Sequence, residues 1–187
     1  MKIAECKLES ISPYSQSRVL QSSKEKKELD KDYEARVWRE RCHTADNGHI
    51  IIPPMQFCNS LKEAAKYLNL QVPGQGKRTY TKNFESGVLV NEPVMLPEIA
   101  EKVKGEWLFV PSDGRRGGGR RVMKCFPVIS HWVGTVTYWI TDDLITQDVF
   151  LEVLKTSGQL IGIGRFRPRN LGFYGRFKIN DCIWVEQ

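Results

Sequence analysis

Ten basic residues, set in two glycine-bearing stretches, are the chemistry that this sequence displays most openly. Residues 115–124 (RRGGGRRVMK) carry Arg115, Arg116, Arg120, Arg121 and Lys124. Residues 160–178 (LIGIGRFRPRNLGFYGRFK) carry Arg165, Arg167, Arg169, Arg176 and Lys178. Neither stretch contains an acid. Together they hold ten of the 28 Lys and Arg residues and none of the 22 acidic ones, which leaves 18 basic against 22 acidic residues elsewhere. A net charge of +6 over 187 residues says little by itself. Its confinement to two stretches is the footprint expected of a site for a polyanion.

The second stretch has the richer chemistry. Guanidinium groups grip phosphates in bidentate fashion or stack on bases. Gly162, Gly164, Gly172 and Gly175 permit close approach of the backbone, with N–H groups aimed at phosphate oxygens. Arg165, Arg167 and Arg169 alternate and would line one side of an extended segment. Phe166, Phe173 and Tyr174 would offer stacking surfaces among these cations, which suits a single strand. The glycines do not form a dinucleotide fingerprint, because that loop leaves a strand and opens a helix, whereas this one follows a helix and enters a strand. The competing reading is a structural turn with solvated arginines.

Signals for catalysis are sparser. His43 and His49 flank the turn Asp46-Asn47-Gly48, close enough in sequence to share a site, and are the candidate general acid or base residues. His131 starts a strand, and no histidine falls into a recognisable triad spacing. The five cysteines, Cys6, Cys42, Cys58, Cys125 and Cys182, are scattered and form no C-x-x-C pair. They suggest neither a zinc site nor a disulfide framework and read as small buried hydrophobes. No metal or other cofactor is expected. Asp142-Asp143 reads as the turn before a helix.

The elements that must position these groups follow from periodicity. Residues 2–11 alternate loosely and predict a first strand, followed by a polar turn over 12–18. Mixed charges over 21–32 predict a solvated loop. A helix is expected over 32–42, a short apolar strand over 49–52, and a second helix over 55–68 with Phe57, Leu61, Ala64, Ala65 and Leu68 on one face. Residues 77–97 suggest strands joined by turns, and 106–110 a further strand. Three consecutive glycines make 111–121 a flexible loop or hairpin tip. The last third is clearest. A strand over 131–141 turns Trp132, Val136, Tyr138 and Ile140 one way. Thr146 caps a helix through 157, with Gly158 just past its end. A strand over 173–179 places Phe173, Phe177 and Ile179 on the core face and Tyr174, Arg176 and Lys178 opposite. A last strand-like run covers 182–185. The chain lacks an apolar run of membrane-spanning length and a signal-like N-terminus, so a cytoplasmic protein without membrane contact is expected.

The order strand, helix, basic glycine-rich loop, strand resembles the C-terminal half of the repeat-associated RNA-binding (RAMP) superfamily. The matching residues are Gly162-x-Gly164-Arg165 and Gly172-Phe173-Tyr174-Gly175-Arg176-Phe177, within roughly 130–180. Ser12-Pro13, Ser15 and Ser17-Arg18 are similar to a polar turn of some of its members. The resemblance implies an α+β, ferredoxin-like (RRM-like) antiparallel sheet with helices on one face. It implies one domain over 1–187, with 19–48 and 70–125 as insertions or loops and 112–121 as a flexible basic finger. It further implies a protein that binds the backbone of RNA or another single-stranded nucleic acid, similar to the backbone subunits of CRISPR effectors, and the lack of a recognisable histidine triad makes a non-catalytic one the leading expectation. Partners would be the nucleic acid and other subunits of a ribonucleoprotein or copies of the chain itself. Two other classes stay open. One is a metal-independent endoribonuclease using His43 or His49. The other is a viral-type inhibitor that occupies the site of a nucleic-acid-handling complex.

Overall fold

The computed structural model describes residues 1–114 and 119–186; Arg115 and Arg116 lie outside the described residues. Alternation at the start of the chain produces β1 (Lys2–Ser10), which buries Ala4, Cys6 and Leu8 and turns Glu5 and Lys7 to solvent. The polar stretch after it is not all turn: Tyr14–Ser15 form a short strand, β2, with both residues fully buried. The mixed-charge stretch has no helix or strand before α1 (Asp30–Val37), which runs into a 3-10 turn at Trp38–Arg41. Next come β3 (His49–Ile52) and α2 (Pro54–Leu68). Proline suits the first position of α2, where its missing N–H has no intrahelical partner to lose. Asn69, at φ 51°, ends the helix by donating its N–H to the Ala65 carbonyl at 3.0 Å.

Part of the 77–97 stretch, expected as strands, is instead a helix, α3 (Thr81–Gly87). The apolar residues Tyr80 and Phe84 are four apart and both buried, a helical spacing. The remaining elements are β4 (Val88–Leu89), β5 (Val94–Ile99), β6 (Lys104–Pro111), β7 (Arg121–Ile129), β8 (Val133–Ile140), α4 (Gln147–Thr156) and β9 (Phe177–Glu186).

Six of these elements make the core of the fold. Taken as β1, α2, β4, β8, α4 and β9, they follow the order strand, helix, strand, strand, helix, strand. Their strands form one antiparallel sheet in the order β4-β8-β1-β9. That is the ferredoxin-like arrangement, in which each strand–helix–strand unit skips one position and the terminal strands pair beside each other. Both helices cover one face. Phe57 of α2 packs edge-on against Trp132 and Phe177, and Phe150 of α4 packs against Tyr138 and Trp184. The buried hydroxyls of Ser60 and Ser157 hydrogen-bond at 2.8 Å and tie α2 to the turn after α4.

Two smaller sheets occupy the long connections. A three-stranded sheet, β2-β7-β6, is built around the β6–β7 hairpin, and the ribbon β3–β5 packs Val94 into the space that Gly134 leaves on β8. Val88–Leu89, within the 70–125 stretch expected to be inserted, form an edge strand of the main sheet. A buried ion pair anchors the hairpin. Arg41 Nη1 lies 2.7 Å from Glu34 Oε1, and the same oxygen accepts the Cys125 backbone N–H at 2.7 Å.

The last third shows three departures from expectation. Thr146 caps α4 by accepting the Val149 N–H, but the helix does not stop at Gly158. It continues through a wider π-type turn, Ser157–Ile161, and ends at Gly162, whose φ is 73°. A side chain at Gly158 would collide with the Phe177 carbonyl, so this glycine serves the crossing of β9 over the helix end. Next, β9 begins only at Phe177 and runs as one strand to Glu186, with an irregularity in its pairing beside Lys7 and Leu8. Phe173 is therefore 53% exposed and Tyr174 only 5%, the reverse of the alternation expected over 173–179. Last, Cys6 and Cys182 face each other across β1 and β9 and are joined as a disulfide, while Cys42, Cys58 and Cys125 are free and buried. The pairing was invisible to spacing because it depends on strand register between the two ends of the chain.

Candidate nucleic-acid interface

The glycine-rich loop, residues 162–176, is held to β2 and to itself by its own backbone. Arg165 N–H donates to Ser15 O at 2.8 Å and Gly175 N–H to Pro13 O at 2.7 Å, while Ile163 N–H donates to Gly175 O at 3.0 Å. Gly172 N–H reaches Arg167 O at 3.1 Å and Tyr174 N–H reaches Phe166 O at 3.2 Å. Gly164 and Gly175, at φ 76° and 74°, allow this path, and a side chain on either would strike backbone oxygen. These five N–H groups are thus spent on the protein and are not free for the backbone cradle expected of them.

The three arginines of the loop do not share a side. Phe166 adopts φ 55° and Pro168–Asn170 form a 3-10 turn, so the segment is bent rather than extended. Arg167 Nη2 pairs with Glu63 Oε1 at 2.7 Å, and Arg169 Nε lies 3.7 Å from Glu63 Oε2. Arg176 donates to the Gln159 and Phe173 carbonyls at 3.1 and 3.4 Å, and Lys178 pairs with Glu9 at 3.1 Å. Arg165 turns the other way. Its guanidinium lies over the Phe126 ring at 3.5 Å, and its Nη1 has no hydrogen-bond partner among the described residues. Burial lowers the pKa of this group, while the nearby Glu106 and Tyr174 oppose the shift. Tyr174, expected as a stacking surface, is packed away with its hydroxyl donating to Glu106 Oε2 at 2.6 Å. Burial, aided by that bond, pushes the phenol up to about 12.

The two basic stretches meet at one place. Residues Arg18, Lys124, Phe126, Arg165 and Phe166 line a groove of about 640 Å³ between the loop, the segment after β2 and the inner face of the β6–β7 hairpin. A second depression of about 340 Å³ shares Ser17, Arg165 and Phe166 with it and adds His43, Gln56 and Asn59. The buried side chain of Gln16 positions this end. Its amide donates to Ile51 O at 2.6 Å and to the Tyr14 hydroxyl at 3.0 Å, and its Oε1 accepts the His43 N–H at 2.7 Å. Burial, and Arg18 beyond it, lowers the His43 pKa. His49 and His131 are elsewhere: Nδ1 of His49 meets the Leu96 carbonyl at 3.0 Å, and His131 faces Ser10 and Glu9. The expected pairing of His43 with His49 in one site is therefore not what the groove contains. Arg120 lies 3.4 Å from Asp30, Arg121 stands 5.6 Å over Phe109, and Lys124 donates to the Ser112 carbonyl at 3.1 Å. Among the described residues no cluster of three or more His, Cys, Asp or Glu is placed to hold a metal ion, and no helix is long and apolar enough to cross a membrane.

Several of these residues carry no local sequence signal. Gln16, Glu63, Glu106 and Phe126 do not stand out in the sequence, and Arg18 does so only within the polar turn that ends at Ser17-Arg18. Of those four, only Phe126 had such a signal: its spacing of two from Lys124 on a strand puts both on the same face.

No family model and no curated protein matches the chain. Solved structures do. The crystal structure of Cmr6 from Pyrococcus furiosus aligns over 96% of this chain and 99% of its own at a TM-score of 0.50, with 14% identity. The chain shares the fold of that structure. A Cas6 product complex aligns over 95% of this chain and 51% of its own (14% identity, TM-score 0.34). A chain of a CRISPR RNA-guided surveillance complex aligns over 94% and 66% (6% identity, TM-score 0.40). Within this fold, the glycine-rich loop joins the second core helix to the last strand, while the hairpin opposite it belongs to the long connection between β4 and β8.

Proposed function

We propose that this chain is a non-catalytic RNA-binding protein that takes a single strand along the groove between its glycine-rich loop and the β6–β7 hairpin, as part of a CRISPR-related ribonucleoprotein. The observation that carries the reading is the convergence of Arg165, Lys124 and Arg18 on one groove, with Arg165 stacked on Phe126. The fold shared with Cmr6 supports the choice of RNA, and the exposed Phe166 ring beside these cations suits unpaired bases. Arg165, Lys124 and Arg18 hold phosphates and Phe166 stacks. Arg167 and Arg169 act from behind Glu63, and Arg176 and Lys178 brace the loop and β9.

Titrating labelled single-stranded RNA, duplex RNA and single-stranded DNA with wild-type protein and Arg165→Ala tests this. Tight binding of the RNA strand that depends on Arg165 is expected. Equal, weak binding of all three, unchanged by the substitution, would defeat the reading. A second reading keeps one observation: His43 lines the depression that adjoins the groove at Arg165 and Phe166, and burial lowers its pKa, the direction that favours a general base. Cleavage of the RNA in chelator, lost in His43→Ala, would make the protein an endoribonuclease.

A further inference from the structure

The β6–β7 hairpin has a second face. Opposed residues of an antiparallel pair share a side, so the pairs Leu108–Lys124 and Glu106–Phe126 look into the groove, and Phe109–Met123 looks out. On that outer face Trp107 is 43%, Phe109 57% and Met123 45% exposed. Large apolar side chains seldom lie together in water without a purpose. Here they floor a depression of about 450 Å³ whose rim is cationic, with Lys31, Arg120 and Arg121 around it. Its one carboxylate, Asp30, is already matched by Lys24 at 2.6 Å and Arg120 at 3.4 Å. Aromatic rings interleaved with cations are the arrangement that suits bases joined by phosphates.

This face is also continuous with the groove. A further depression of about 370 Å³, beside α1, shares Arg120, Val122 and Met123 with the outer face and Arg41 and Lys124 with the groove. A strand leaving the groove past Lys124 therefore meets Arg120 and then the two rings, and the two carboxylates that line the way, Asp30 and Glu34, are paired with Lys24 and Arg41.

We propose that the outer face of the β6–β7 hairpin is a second single-stranded RNA site, in which Trp107 and Phe109 stack on unpaired bases while Arg120 and Arg121 hold the phosphates between them. The inference deepens the function proposed above and rests on it. The two rings are two residues apart on one strand, about 7 Å along it, so each serves a different base. The hairpin thus lengthens the track of a strand that the glycine-rich loop begins.

The test is affinity against length. Oligouridines of about 4 to about 16 nucleotides, the span of single-strand sites in small folds, are titrated with wild-type protein, with Trp107→Ala/Phe109→Ala and with Arg165→Ala. Wild-type affinity is expected to rise with length. The double variant is expected to bind the shortest strands as wild type does, which shows that it is folded, and to lose about tenfold or more on the longest. Arg165→Ala is expected to weaken every length. Wild-type affinity for long strands in the double variant would overturn the inference and leave the groove standing. Binding of no length by the wild type would remove the groove first. Wild-type protein that self-associates through Trp107 and Phe109, and a double variant that is monomeric, would assign the face to protein contact instead and overturn the RNA site.

Discussion

The guanidinium carbon of Arg165 lies 3.5 Å from the centre of the Phe126 ring. A plane of charge held flat on an aromatic face loses little further freedom when its edge donors meet a phosphate. Arg165→Ala is expected to lower RNA affinity by about ten- to a hundredfold, the usual worth of a hydrogen bond to a charged group. Arg165→Lys keeps the charge without the plane and should restore only part of that loss. Fluorescence anisotropy at fixed salt reads both, and full recovery by lysine would show that the stack is incidental.

Glu63 holds Arg167 at 2.7 Å and Arg169 at 3.7 Å. With these cations matched, the loop presents less positive charge to a strand than its composition suggests. Glu63→Gln should tighten RNA binding at low salt and steepen the slope of log affinity against log salt by about 0.7 for each phosphate newly neutralised. An unchanged slope would place both arginines off the path of the strand.

The pair Glu34–Arg41 is buried, at 6% exposure for each side chain. Removing one member strands the other charge in a poorly solvated place. Glu34→Ala should cost about 3–5 kcal/mol of stability, and Arg41→Met combined with Glu34→Leu should cost clearly less than the two single changes together. Urea unfolding of wild type, Glu34→Ala, Glu34→Leu, Arg41→Met and the double variant measures this. Simple additivity would mean that the two charges do not interact.

Acid should act partly through His43. Its folded-state pKa is lowered by burial, so the unfolded chain binds the proton more readily. Stability owed to the neutral ring is whole above the ordinary histidine value and fades as pH falls through it and below. The drop in melting temperature from pH 7 to pH 5 should be smaller in His43→Gln. An identical drop would clear His43 of this role.

Much of the scaffold was legible because it depends on local order. β1, α2, β8 and the capped start of α4 each show their period within a dozen residues. The glycine-rich loop was legible as a loop but not as a shape. Alternation continued back from Phe177 assigns Tyr174 outward, whereas Leu171 and Gly175, both at positive φ, reset the chain between them. Glu63 is separated from Arg167 by 104 residues, and Cys6 from Cys182 by 176, so neither pairing is inferable without the register of the folded chain. The convergence of the two basic stretches on one groove belongs to the same class: charge could be counted from the sequence, but its meeting place is set by how β2 joins β7 to the loop.

The pairing of Lys2 with Glu186 at one end of the β1–β9 ladder, and of Ser10 with Phe177 at the other, has a practical side. Both ends of the described chain leave the sheet together, about 30 Å of strand away from the glycine-rich loop. A fluorophore or affinity handle attached at either end stands clear of the groove. One attached at each end reports whether β1 and β9 stay zipped when RNA is added.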